Sequence, residues 1–174
     1  VITIHEVNEL SKKDFALKFS WIFDQKMVEK VSELRPFPSY QFLHLAMKKL
    51  VKKKSIEQKL LLLQAFPDFV DMITNGSSQK TVIKQAGLYS LSSREYKKFV
   101  SLNNKYEKKF GFPFVISIRG HNKESVYDSM KKRVKQTESE EILTSLDELL
   151  RIYFYQLRET IQNEESLQLE RKPM

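Results

Sequence analysis

Three histidines, His5, His44 and His121, are the side chains in this sequence whose ordinary pKa suits proton transfer near neutrality. Their spacing fits no metal-ligand pattern and no Asp/Glu cluster accompanies any of them, so no metal site is expected. His44 lies beside the apolar stripe of a helical pattern, where a boundary histidine without special chemistry is the simpler reading. Cysteine is absent, which removes disulfides, thiolate nucleophiles, Fe–S clusters and Cys-ligated zinc. The 4 glycines form no phosphate-cradling loop, there is no G-x-S-x-G turn, and no serine has a base visible in the sequence. By residue type and spacing alone, the reaction class stays open.

A second source of chemistry is the main chain. The run Phe110-Gly111-Phe112-Pro113-Phe114-Val115-Ile116-Ser117-Ile118-Arg119 is the one long apolar stretch that breaks helical periodicity. Gly111 follows a helical pattern, where a left-handed residue ends a helix, and Pro113 pushes Phe112 toward an extended conformation. Extended backbone in a helical protein leaves N–H and C=O groups without a ladder, so they must find side chains, water or a ligand. The run is therefore a candidate binding surface. The alternative is a buried linker between two helices, and pattern alone leaves both open.

The elements that must position this run are helical. Apolar periodicity and capping residues predict helices over about 12–23, 25–34, 40–53, 56–65, 79–86, 92–109, 123–135 and 137–162. Ser11, Ser39, Ser55, Ser92, Asn122 and Thr137 stand at their starts, and Arg35-Pro36-Phe37-Pro38 and Gly87 at two of their ends. Phe15, Phe19 and Ile22 form one expected core stripe, and Trp21 is expected in the core as well. Phe42, Leu43, Ala46, Met47 and Leu50 form another, and Leu60 to Leu63 is expected to be central. Asn75-Gly76-Ser77-Ser78 reads as a loop, and Asn103, near an apolar face, needs hydrogen-bond partners if buried. The fold class is all-α: a single-domain bundle of about seven to eight helices over residues 1–162, with one extended F-P-F-V-I segment and a polar tail, 163–174.

Hydrophobic content of 41% and charged content of 30% describe a soluble globular chain. The net charge of +8 is spread in small lysine groups at the polar positions of the expected helices, which are most often solvated faces. Nucleic acid is accordingly not expected as a partner, since no binding motif accompanies the charge, and a basic anion- or nucleic-acid-binding module stands only as an alternative reading. No apolar run approaches about 18 residues and the start carries no signal-peptide pattern, so a cytoplasmic protein without membrane contact is expected.

Read together with its neighbours, the central run carries a family resemblance. Ala86-Gly87-Leu88 and Leu102-Asn103-Asn104-Lys105-Tyr106-Glu107-Lys108-Lys109-Phe110-Gly111-Phe112-Pro113-Phe114-Val115-Ile116 resemble the signature of the 2-oxo-4-hydroxy-4-carboxy-5-ureidoimidazoline (OHCU) decarboxylases, which complete the conversion of urate to (S)-allantoin. Arg35-Pro36-Phe37, Phe66-Pro67-Asp68-Phe69, Arg133, Glu148 and Ile152 extend the match over most of the chain. The resemblance implies an all-helical domain, often a homodimer, with no metal or organic cofactor and a small-molecule heterocycle as ligand. The ligand would lie against Pro67 and the main chain of Phe114, Val115, Ile116, Ser117 and Ile118.

The same resemblance exposes departures. In the family a histidine of an H-P-D/E-L motif protonates one face of the carbanion left by CO₂, assisted by a glutamate before A-G-L and an arginine on the last helix. Here the histidine position is Phe66, the glutamate position Val82, with Thr81 as the neighbouring choice, and the arginine position Gln156, with Arg158 near. Phenylalanine has no proton to donate. The resemblance thus implies either lost or altered catalysis, or a decarboxylase with a substitute donor among His44, His121 and Asp68.

Overall fold

Short polar side chains decide where most helices begin. The computed structural model describes residues 1–21, 24–76 and 79–163. Their contacts form two compact units, Val1–Lys54 with the described residues from Leu150 on, and Ser55–Leu149.

The first unit opens with strand β1 (Ile2–Thr3) and helix α1 (Ile4–Glu9), where Thr3 and Glu6 close a reciprocal capping box. Helix α2 (Lys12–Phe19) starts from Ser11, whose hydroxyl accepts from the Asp14 N–H at 3.0 Å. Helix α3 (Gln25–Glu33) starts from Asp24 and α4 (Tyr40–Lys52) from Ser39. Val7, Phe15, Phe19, Val31, Leu43 and Met47 are fully buried between them. Arg35 joins the ends of α1 and α3, donating to the carbonyls of Val7 at 3.0 Å and Ser32 at 2.9 Å.

In the second unit α5 (Ile56–Gln64) is followed by α6 (Phe69–Asn75), α7 (Lys80–Gln85) and α8 (Ser93–Phe110). Gly111, at φ 75°, stops α8 in the left-handed region that glycine tolerates without cost. Residues 113–118 then run without helix or strand to α9 (Lys123–Arg133). Helix α10 (Glu138–Thr160) begins from a Thr137–Glu140 capping box with bonds of 3.0 and 3.2 Å. Its turns up to Leu149 belong to this unit and the remainder to the first, where strand β2 (Ile161–Gln162) pairs in parallel with β1, Ile2 opposite Ile161. Aromatic rings fill the second unit: Phe69 meets Phe99 at 5.7 Å and Phe114 at 5.6 Å, and Tyr106 meets Phe114 edge-on at 5.2 Å.

The all-α class is what the chain adopts. Two short helices, α1 and α6, are additional to the expected set, because six or seven residues give too little periodicity to read. Three expected core positions are corrected. Trp21 is 44% exposed, its indole N–H satisfied by the Lys18 carbonyl at 2.8 Å. Phe42 is 54% exposed, because the buried stripe of α4 runs through Leu43, Met47 and Val51, about 100° round the helix. Leu61 is 65% exposed, and within α5 only Leu63 is buried, so the four-leucine run is a surface helix with one apolar edge. Ile22, Ser77, Ser78 and the tail from 164 lie outside the described residues. No helix among the described residues is long and apolar enough to cross a membrane.

Candidate functional site

Phe114, Val115, Ile116, Ser117 and Ile118 are all buried, yet their main chain joins no ladder. Among the described residues their N–H groups make no hydrogen bond, while the Ile118 carbonyl accepts from the His121 N–H at 2.9 Å. The Val115 carbonyl is held differently. It accepts from Arg133 Nη1 at 2.7 Å, and the same guanidinium lies 4.4 Å from the centre of the Phe114 ring. Arg133 Nε donates to Glu141 Oε1 at 2.8 Å and Nη2 to Ser145 Oγ at 3.1 Å. The Tyr106 hydroxyl donates to the same Glu141 oxygen through a very short contact. Burial pushes the Tyr106 phenol far above its ordinary pKa, and the bond to Glu141 adds to that, so it stays a donor. All four side chains are buried, on α8, α9 and α10.

The turn between α5 and α6 carries Phe66, half-buried, and Pro67, exposed. Asp68 caps α6, accepting from the Asp71 N–H at 3.0 Å, and its other oxygen accepts from Asn103 Nδ2 at 3.0 Å. Glu107, one turn beyond Asn103 on α8, shares a hydrogen bond with Asp68. That bond, then burial and the Asp68 and Asp71 charges, push the Glu107 carboxyl up to about 7. Burial works to raise Asp68, but the hydrogen bonds from Glu107, the Asp71 N–H and Asn103 outweigh it and hold its carboxyl below the ordinary value. Glu107 is therefore the protonated member of the pair. A carboxyl raised on folding contributes stability present below its unfolded pKa of 4.5 and lost as pH rises through about 7. Glu107→Gln keeps a donor to Asp68 and removes the titration, so the wild-type fall in thermal midpoint between pH 5 and pH 8 is expected to flatten. An unchanged pH dependence in the variant would contradict the shared proton.

The other sequence-derived positions are placed as follows. Val82 is half-buried on α7 in the second unit, and Thr81 beside it is exposed. Gln156 lies on α10 in the first unit. His44 Nε2 is 2.8 Å from the Leu150 carbonyl and its ring meets Phe154 edge-on; burial lowers its pKa, as for a structural imidazole. His121 Nδ1 is 2.9 Å from Ser125 Oγ, at the start of α9. On the opposite side of chemistry, Arg94, Lys97, Lys98, Lys105 and Tyr127 line a surface recess of about 610 Å³. These four cations make no ion pair with described residues.

The sequence pattern of OHCU decarboxylase matches residues 8–158. The chain belongs to the OHCU decarboxylase family. It is 34% identical over 165 residues, 94% of this chain and 98% of the relative, to the OHCU decarboxylase of Haloferax volcanii. It is 28% identical to the uric acid degradation bifunctional protein of Bacillus sp., covering 95% of this chain but 34% of that protein. A crystal structure of (S)-allantoin synthase superposes with a TM-score of 0.76 at 25% identity, over 93% of this chain and 54% of that one. Its relatives in the OHCU decarboxylase family thus include a protein named for uric acid degradation.

Sequence reasoning singled out Arg133 only through the family match and overlooked Glu141, Ser145 and Glu107. A signal existed for the first two. Glu141 and Ser145, four apart, fall on the apolar stripe of α10 with Ile142 and Leu149, and polar residues on such a stripe must be paired.

Proposed function

We propose that this chain keeps the fold and the main-chain ligand segment of an OHCU decarboxylase but has lost or altered the side-chain chemistry. The observation that carries the reading is Phe66 at the turn where the family places its histidine. Loss of CO₂ from a carboxylate flanked by electron-withdrawing groups needs the developing carbanion stabilised and one face protonated. Donors on Phe114–Ile118 can serve the first need; Phe66 serves neither. With Val82 and Gln156 at the glutamate and arginine positions, recognition of a polar, anionic substrate is weakened as well. Incubation with freshly generated OHCU, followed by circular dichroism, is the test: (S)-allantoin should form little faster than it does spontaneously. Stereospecific turnover far above that background would overturn loss of activity.

One observation favours a substitute donor. The Glu107 carboxyl, pushed up to about 7 by its bond to Asp68 and by burial, lies beside the residue after Pro67 and is the acid that would serve. If turnover is found, its pH profile should lose activity as pH rises through about 7, and Glu107→Gln should abolish it. The reading as a basic anion binder would use the recess on α8. Retention on single-stranded nucleic acid should then fall steeply with salt and be weakened by Lys97→Glu; salt-independent retention would dispose of it.

A further inference from the structure

Val115 is where the buried polar cluster meets the proposed ligand segment, and the contact goes beyond what an ion pair needs. Arg133 and Glu141 neutralise each other, and Tyr106 and Ser145 complete the ring of hydrogen bonds. A buried ion pair is on average no more stabilising than apolar side chains of the same volume, since desolvation offsets the attraction. Stability alone therefore gives no reason to bury four polar side chains from three helices. Their particular result is geometric: one guanidinium nitrogen fixed 2.7 Å from the Val115 carbonyl oxygen, with the Phe114 ring against its face.

Among the described residues only the Arg35–Pro36 peptide is cis, so the Val115–Ile116 peptide is trans. In a planar trans peptide the C=O of one residue and the N–H of the next point in opposite directions. Turning the Val115 carbonyl into Arg133 turns the Ile116 N–H away from the cluster. Ile116 is 1% exposed, and its N–H bonds to no described residue. Buried N–H groups are rarely left without an acceptor.

We propose that Arg133, held by Glu141, Tyr106 and Ser145, is a positioning residue that presents the Ile116 N–H to an acceptor oxygen, carboxylate or carbonyl, of a bound heterocycle. This rests on the reading of Phe114–Ile118 as the ligand segment. A ligand offering only donors opposite the Ile116 N–H is disfavoured, because two donors cannot satisfy each other.

The test is a titration of ¹⁵N-labelled protein with (S)-allantoin as the probe, recording both affinity and the Ile116 amide shift. Wild type should show a saturable shift at Ile116. Tyr106→Phe, which removes one hydroxyl from the cluster and preserves shape, should weaken binding about three- to tenfold and shrink that shift. Arg133→Lys, which loses the fork, should do both more strongly; if it fails to fold, Tyr106→Phe decides alone. A Tyr106→Phe protein with a lower melting point but unchanged affinity and unchanged Ile116 shift would overturn the positioning role while leaving the ligand segment intact. Absence of any wild-type shift within Phe114–Ile118 would overturn the ligand segment and the positioning role together.

Discussion

Phe66→His is expected to raise the rate of (S)-allantoin formation by about 10²-fold, the lower end of what a positioned general acid contributes. The local frame for the imidazole is present. Pro67 fixes the backbone after it, and Asp68 is pinned by bonds to the Asp71 N–H and Asn103 at 3.0 Å each, so the turn between α5 and α6 does not have to be rebuilt. An imidazole also takes less room than the phenyl ring it replaces, which keeps the packing cost small. The gain stays at the lower end because Val82 and Gln156 supply no carboxylate or guanidinium, and groups that act as a unit do not add. Adding Val82→Glu should therefore raise the rate by more than the product of the two single effects. The readout is circular dichroism of freshly generated OHCU against the spontaneous rate. No gain in Phe66→His, over a wild type at background, would mean that position 66 does not face the ligand.

Glu141→Ala should cost about 3–5 kcal/mol, the usual penalty for leaving a buried charge without its partner. Glu141 is 0% exposed and takes Arg133 and Tyr106 on one oxygen, so removing it strands a guanidinium and a phenol together. Water has little access to compensate them. Arg133→Met/Glu141→Met is expected to cost less than Glu141→Ala alone, because the double variant leaves no charge behind. Urea unfolding of all three proteins gives the comparison. If the single and double variants lost the same amount, the cluster would owe its stability to packing and not to charge pairing.

The two variants also mark how far the sequence could be read. Helices with a capping residue and at least two turns of apolar periodicity were legible, α8 and α10 being the clearest, because Ser92–Glu95 and Thr137–Glu140 announce them. The stop at Gly111 and the unpaired run after it were legible for the same reason: glycine and proline act locally. What stayed hidden depends on distance in the chain. Glu107 pairs with Asp68, and Glu141 with Tyr106 across 35 residues, and nothing near either partner encodes the other. Trp21, Phe42 and Leu61 were misplaced because hydrophobicity says that a side chain favours burial, not that a neighbour is available to bury it.

The β1–β2 pair, only two residues long on each side, has a consequence for biosynthesis. The second unit is one continuous stretch, Ser55–Leu149, whereas the first is assembled from both ends of the chain. During translation the second unit can gather its aromatic core while the first still lacks its closing pieces. The first is completed only when Gln162 has emerged from the ribosome and lies beside Thr3, closing a loop that contains almost the whole chain.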